Sequence, residues 1–139
     1  MTTIVCTLET MASDSMASDE VQKTSVAKIF RVGEKLVGTA GCYSSCVAFV
    51  NWLKQGCDPE VKPDMEGVYA MVLDSSGISI HDECVTSFPL NNKFAAVGSG
   101  SQAALAAMHC GKTPREAVKI AAKIDPSTGG RIVVKSLSR

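Results

Sequence analysis

A chain of 139 residues has length for one domain with a sizeable core, and 45% hydrophobic with 20% charged residues is an ordinary globular balance. Fourteen basic residues cancel fourteen acidic ones, which removes the electrostatic footprint of a nucleic-acid or membrane-surface partner. No apolar run approaches the roughly 18 residues of a membrane span, and no basic segment followed by an apolar core opens the chain, so a cytoplasmic protein is expected.

Residues 3–8 read as a strand, and residues 10–13 as a second strand paired with it. Met11-Ala12-Ser13-Asp14 is nearly repeated as Met16-Ala17-Ser18-Asp19; the repeat is too short to be architectural, but it offers two candidate aspartates. Residues 26–32 alternate well enough for a half-buried strand. A turn at Gly33-Glu34 and a strand over 35–41 complete an antiparallel hairpin. Val47, Phe49, Val50 and Leu53 then recur at near-helical spacing, with Ser44 or Ser45 as a cap and Gly56 as a stop, which predicts a helix over 43–56. Residues 57–66, with Pro59 and Pro63, are a loop.

A second hairpin follows, with strands at 68–73 and 78–81 about a turn at 74–77. A short strand at 94–97 leads through Gly98-Ser99-Gly100 into an alanine-rich helix over 103–110, stopped by Gly111. Thr113, Pro114 and Glu116 form the start signature of another helix, a capping box with proline at the first position, and this helix runs to about Ile124. Residues 125–130 turn, and 132–135 form the last strand. Tight hairpins imply antiparallel sheets, and the helices must cover their outer faces. The fold class is therefore α+β.

Six cysteines, Cys6, Cys42, Cys46, Cys57, Cys84 and Cys110, stay reduced in a cytosolic chain. Cys42 with Cys46, and His81 with Cys84, have the spacing of half a zinc site. No C-x-x-C pair is present, and free cysteine packs as a small hydrophobe. Neither a metal nor a cofactor is expected.

The first residues carry the chemistry. A chain that begins Met-Thr loses its Met1 to aminopeptidase, because the second side chain is small. Thr2 then carries a hydroxyl and a free α-amine, whose pKa of about 7.7–8.0 makes it a usable base near neutral pH. An N-terminal threonine is one form of the activated nucleophile. Ile4 and Val5 would hold such a terminus still by anchoring it as a strand, where most termini fray.

Over most of its length the sequence resembles the proteasome β-type and HslV-type threonine peptidases, of the N-terminal nucleophile hydrolase class. The matching blocks stand in the family's order. Thr2-Thr3-Ile4-Val5 resembles the mature start of these peptidases. The run from Ala12 to Ser18 resembles the block in which an aspartate precedes Ala-Thr or Ala-Ser, and Asp14 fits better than Asp19 because Ala17-Ser18 follows it. Residues 25–30 resemble the block of the catalytic lysine, here Lys28. Residues 36–41 resemble the strand whose glycine amide is the oxyanion donor, here Gly41. Residues 96–100 resemble the block of the active-site serine, here Ser99. Residues 112–118 look like the family's late helix. Residues 125–130 resemble the turn whose aspartate and hydroxyl residue flank the nucleophile, here Asp125 and Thr128, with threonine for the commoner serine.

The resemblance implies a four-layer α/β/β/α sandwich with two antiparallel sheets. One helix layer is reduced, because the family's second helix is replaced by the loop between Gly56 and Gly67. It also implies a threonine endopeptidase that self-associates into rings or a larger homo-oligomer, takes unfolded polypeptide as substrate, and often works with a ring ATPase. Thr39 and Ala40 look like walls of the first specificity pocket and suggest apolar substrate side chains. Two other readings stay open: a catalytically inactive assembly subunit of the same fold, or an N-terminal nucleophile amidase acting on a small amide.

Overall fold

The computed structural model describes residues 2–84 and 87–138; the expected loss of Met1 falls outside them. Eleven strands and three α-helices are formed by the described residues. One antiparallel sheet has the order β10-β1-β2-β11, built from β1 (Ile4–Thr7), β2 (Thr10–Ser13), β10 (Phe94–Val97) and β11 (Val133–Ser136). A second runs β5-β6-β7-β8-β9 in chain order, from β5 (Ile29–Val32), β6 (Lys35–Gly41), β7 (Val68–Asp74), β8 (Gly77–His81) and β9 (Phe88–Leu90). The small hairpin of β3 (Met16–Ser18) and β4 (Lys23–Ser25) stands apart.

Strands β1 and β7 are apolar on both faces, and the pleat sorts them. On β1, Ile4 and Cys6 turn into a cluster with Leu36, Met71, Leu73, Ile78 and Ile80 of the larger sheet. Val5, between them, turns the other way onto Ala104, Ala107, Val118 and Ala121 of the helices. On β7 the same alternation puts Met71 and Leu73 with the first cluster and Val68, Ala70 and Val72 against Cys46, Phe49 and Val50. A side chain at Gly38 would meet Met11 Sδ at 2.7 Å and Ile4 Cγ2 at 2.8 Å, so glycine there lets the two sheets close on each other.

Helix α1 (Tyr43–Lys54) covers the larger sheet with Cys46, Phe49 and Val50. Helices α2 (Ser101–His109) and α3 (Pro114–Ile124) cover the smaller one. The capping box of α3 forms as its sequence predicts: the Glu116 N–H donates to Thr113 Oγ1 at 3.2 Å, and the Thr113 N–H donates to Glu116 Oε1 at 3.1 Å. No helix among the described residues is long and apolar enough to cross a membrane.

Two local expectations shift, and two elements form that the sequence does not predict. The hairpin strand begins at Ile29 rather than Val26, because residues 23–25 pair with β3 and the Val26 N–H donates to Ser15 O at 2.8 Å. The N-cap position of helix α1 is Cys42 rather than Ser44 or Ser45, with no side-chain capping hydrogen bond, and both serines lie in its first turn. Gly41, at φ +114°, turns the chain out of β6 and brings the helix forward. The β3–β4 hairpin has no apolar alternation on β4, whose three residues are all exposed. Its turn is held by Asp19 Oδ1, which accepts the Val21 and Gln22 N–H groups at 2.8 Å each. Finally, β9 forms around Pro89 at a sheet edge, where a missing N–H is tolerated.

Candidate active site

The site is built where the first strand leaves its sheet. The Thr2 N–H donates to Ser99 Oγ at 3.3 Å, and Thr2 O accepts the Gly100 N–H at 3.3 Å. The residue is thus clamped by the loop between β10 and α2. Close approach requires glycine on both sides of Ser99. A Cβ on Gly98, at φ +99°, would stand 2.0 Å from Thr2 O, and one on Gly100 would stand 1.9 Å from Thr3 Oγ1.

Ser99 Oγ donates to Asp125 Oδ2 at 2.5 Å, and Thr128 Oγ1 donates to the same oxygen at 2.7 Å. Thr128 has thereby used its one hydroxyl hydrogen, so the 2.7 Å contact between Thr3 Oγ1 and Thr128 Oγ1 has Thr3 as donor. Burial raises the Asp125 carboxyl, but the bonds from Ser99, Thr128 and the Ser127 N–H together outweigh it and leave the carboxyl below its ordinary value.

A second carboxylate works beneath Thr3. Asp14, 1% exposed, accepts Lys28 Nζ on both oxygens, at 3.0 and 3.1 Å. It also accepts the Thr3 N–H at 3.1 Å and the Gly129 N–H at 3.0 Å. One buried carboxylate therefore ties together four segments: β1, its own turn after β2, the approach to β5, and the turn before β11. Lys28 is itself 4% exposed. Burial holds its amine below the ordinary lysine range, and the hydrogen bond and charge of Asp14 oppose this without cancelling it.

Thr2, Lys28 and Gly41 line one cleft of about 370 Å³, with Met16, Ala17, Ser18, Val26, Thr39, Cys42, Tyr43 and Cys46 around it. Gly41 sits at its rim, where a Cβ would strike Gly67 O at 1.7 Å. The structure thus brings Thr2, Lys28 and Gly41 to one cavity, and joins Ser99, Asp125 and Thr128 to its threonine wall by hydrogen bonds. Asp14 reaches the cavity through Lys28. The other candidate aspartate, Asp19, is exposed in the hairpin turn.

No protein-family model matches this sequence, and no curated protein matches it. Solved structures do. A structure of Thiobacillus denitrificans BPH superposes with a TM-score of 0.70 at 22% identity, covering 99% of this chain and 98% of that one. Another of the same protein, in complex with epoxomicin, gives 0.68 at 22%, covering 99% of each chain. The eukaryotic HslV of Trypanosoma brucei gives 0.73 at 18%, covering 96% and 98%. The chain has an HslV-type, proteasome-like fold.

Within that fold, several residues of the site are given no part in it by the sequence. Thr3 donates its N–H to the Asp14 carboxylate and its hydroxyl to Thr128 Oγ1, and nothing in its type separates it from Thr2. Gly129 donates to Asp14. Cys42, Tyr43, Cys46 and Met16 line the cleft. The glycines flanking Ser99 carried a readable signal, since a Gly-Ser-Gly triplet at a strand end suits close backbone approach.

Proposed function

We propose that this HslV-type chain is a threonine endopeptidase subunit, in which Thr2, freed of Met1, is the nucleophile. The observation that carries the reading is the placing of Thr2 in the cleft beside the buried Lys28–Asp14 pair, with its nitrogen 3.3 Å from Ser99 Oγ. Thr2 Oγ1 attacks the peptide carbonyl, and its hydroxyl proton passes to the α-amine, directly or through one water. The amine then hands that proton to the leaving nitrogen as the peptide bond breaks, leaving an ester on Thr2. Water cleaves the ester by the same path in reverse and frees the threonine.

The other residues have distinct parts. The ammonium of Lys28 lowers the pKa of the neighbouring α-amine and favours the alkoxide. Asp14 orients Lys28 and keeps its charge matched. The Gly41 N–H donates to the oxyanion, a contact of a kind worth about 3–4 kcal/mol. Ser99, Asp125 and Thr128 fix the amine in one position, so its lone pair is spent on catalysis and not on solvent.

We read the packing of α1, the two sheets and the α2–α3 pair as the four-layer sandwich of N-terminal nucleophile hydrolases, formed by residues 1–139 as one domain, with α1 alone in the reduced layer. On this reading copies assemble into a ring or larger homo-oligomer that encloses the clefts, admits unfolded polypeptide, and can be fed by a ring ATPase. Six free cysteines suit the reducing cytoplasm. The deciding experiment is covalent: protein with a processed terminus is treated with a peptide vinyl sulfone or β-lactone, and the adduct is mapped by mass. The expected site is Thr2. An adduct elsewhere, or none on protein shown to begin at Thr2, overturns the assignment.

A further inference from the structure

Cys42 is the feature of the cleft that peptide hydrolysis does not use. It follows Gly41 directly, stands at the N-terminal end of the twelve-residue helix α1, and is exposed. Its thiol is 3.4 Å from Ser44 Oγ. The Ser44 hydroxyl foremost, then the Ser45 N–H and hydroxyl, favour the thiolate and bring the thiol down to about 7. The sulfur does not close a capping hydrogen bond of ordinary geometry; it lies near these donors and at the positive end of the helix dipole.

Two neighbours make this more than a reactive thiol. Thr39 Oγ1, on the same cleft wall, is buried at 3% exposure and has no hydrogen-bond partner among the described residues. Its polar neighbour is the Cys46 thiol, which it leaves short of a well-formed bond. A buried donor left open in this way suits a ligand carbonyl or carboxylate entering the cleft. Cys46, one turn along α1 and 1% exposed, also lines the cleft. Burial raises its thiol, so it is a poor attacking group and would not displace a partner bound to Cys42.

We infer that Cys42 is a covalent modification site for low-molecular-weight disulfides, and that its adduct occupies the cleft lined by Thr2. The Cys42 thiolate attacks one sulfur of the small disulfide. That S–S bond breaks, a mixed disulfide forms, and the second half departs as a thiolate that takes a proton from water. The small disulfide is the sole oxidant. The effect on turnover rests on the peptidase reading above; the modification itself does not.

The test uses glutathione disulfide at neutral pH on the full chain, with mass mapping over time. Cys57, Cys84 and Cys110 are exposed as well and act as internal controls. Cys84 is the sharpest of them, because Asp82 raises its thiol. The expected result is one glutathione on Cys42, formed about fivefold or more faster than on Cys84, and none on Cys42→Ser protein. Equal rates at the two sites, or a Cys42–Cys46 disulfide without glutathione, would overturn the inference. Peptidase activity reads the occupancy of the cleft. Modified protein should lose at least about tenfold and regain it with dithiothreitol, while Cys42→Ser, compared with its own untreated sample, should not respond. Full turnover by protein modified at Cys42 sinks the cleft placement. Absence of turnover in untreated protein counts against the peptidase reading, and the mapping still decides the modification site.

Discussion

The hairpin of β5 and β6 carries a lysine at each end, and the two have opposite fates. Lys28 enters the hairpin beside Asp14 at 3.0 Å, with the two side chains 4% and 1% exposed. Lys35 leaves its turn beside Asp74 at 3.9 Å, with 56% and 29% exposed. Each end also has a hollow. The one at the turn end is larger, about 910 Å³, and is lined by Arg31, Lys35, Asp74 and Ser76 among others. There, Arg31 donates to Ser136 O and Leu137 O at 2.6 and 3.2 Å and pins the last strand. The smaller hollow has the buried ion pair, the clamped threonine and the open hydroxyl. Size does not distinguish a site here; the desolvation of charged groups that then need each other does.

The largest expected effect separates chemistry from structure. Thr2→Ala should abolish peptide hydrolysis while circular dichroism and the unfolding midpoint stay near those of the parent protein; retained turnover would end the nucleophile assignment. Next comes the buried pair. Lys28→Ala leaves Asp14 as an uncompensated buried charge, for which a loss of about 3–5 kcal/mol is expected in urea unfolding, with activity nearly gone. A normal midpoint together with near-normal turnover would make Lys28 equivalent to Lys35 and break the contrast.

A pH experiment sharpens the threonine side of the cleft. The folded Asp125 carboxyl lies below its ordinary 3.8. Between those two values the unfolded chain binds more protons, so stability is present above about pH 4 and falls as pH drops through the folded value. Asp125→Asn should remove that part of the acid dependence, and an unchanged pH profile in the variant would mean that another carboxylate carries it. The smallest effect is at the far end: Lys35→Ala should change stability by about 1 kcal/mol or less and leave turnover alone, as an exposed pair is worth little. A larger loss there would show that the turn end matters to the fold as much as the cleft end does.

Sequence and tertiary structure divided the work along physical lines. Hairpins, helices and the capping box of α3 could be read from the chain because turn chemistry and apolar period act over a few residues. Thr2, Lys28 and Gly41, which line one cleft, could be read through the order of their blocks, and Met16, Tyr43 and Cys46 beside them could not. The β4 strand could not, since Lys23-Thr24-Ser25 is held by backbone pairing and has no apolar face. Nor could the place of Cys42 at the head of α1, which follows from the turn that Gly41 makes against Gly67. The contrast between Lys28 and Lys35 belongs wholly to the tertiary structure. A lysine and an aspartate attract in any chain, but whether they meet in water or beneath two sheets depends on segments more than a hundred residues away, and the local dielectric, set by those segments, decides what the pair is worth.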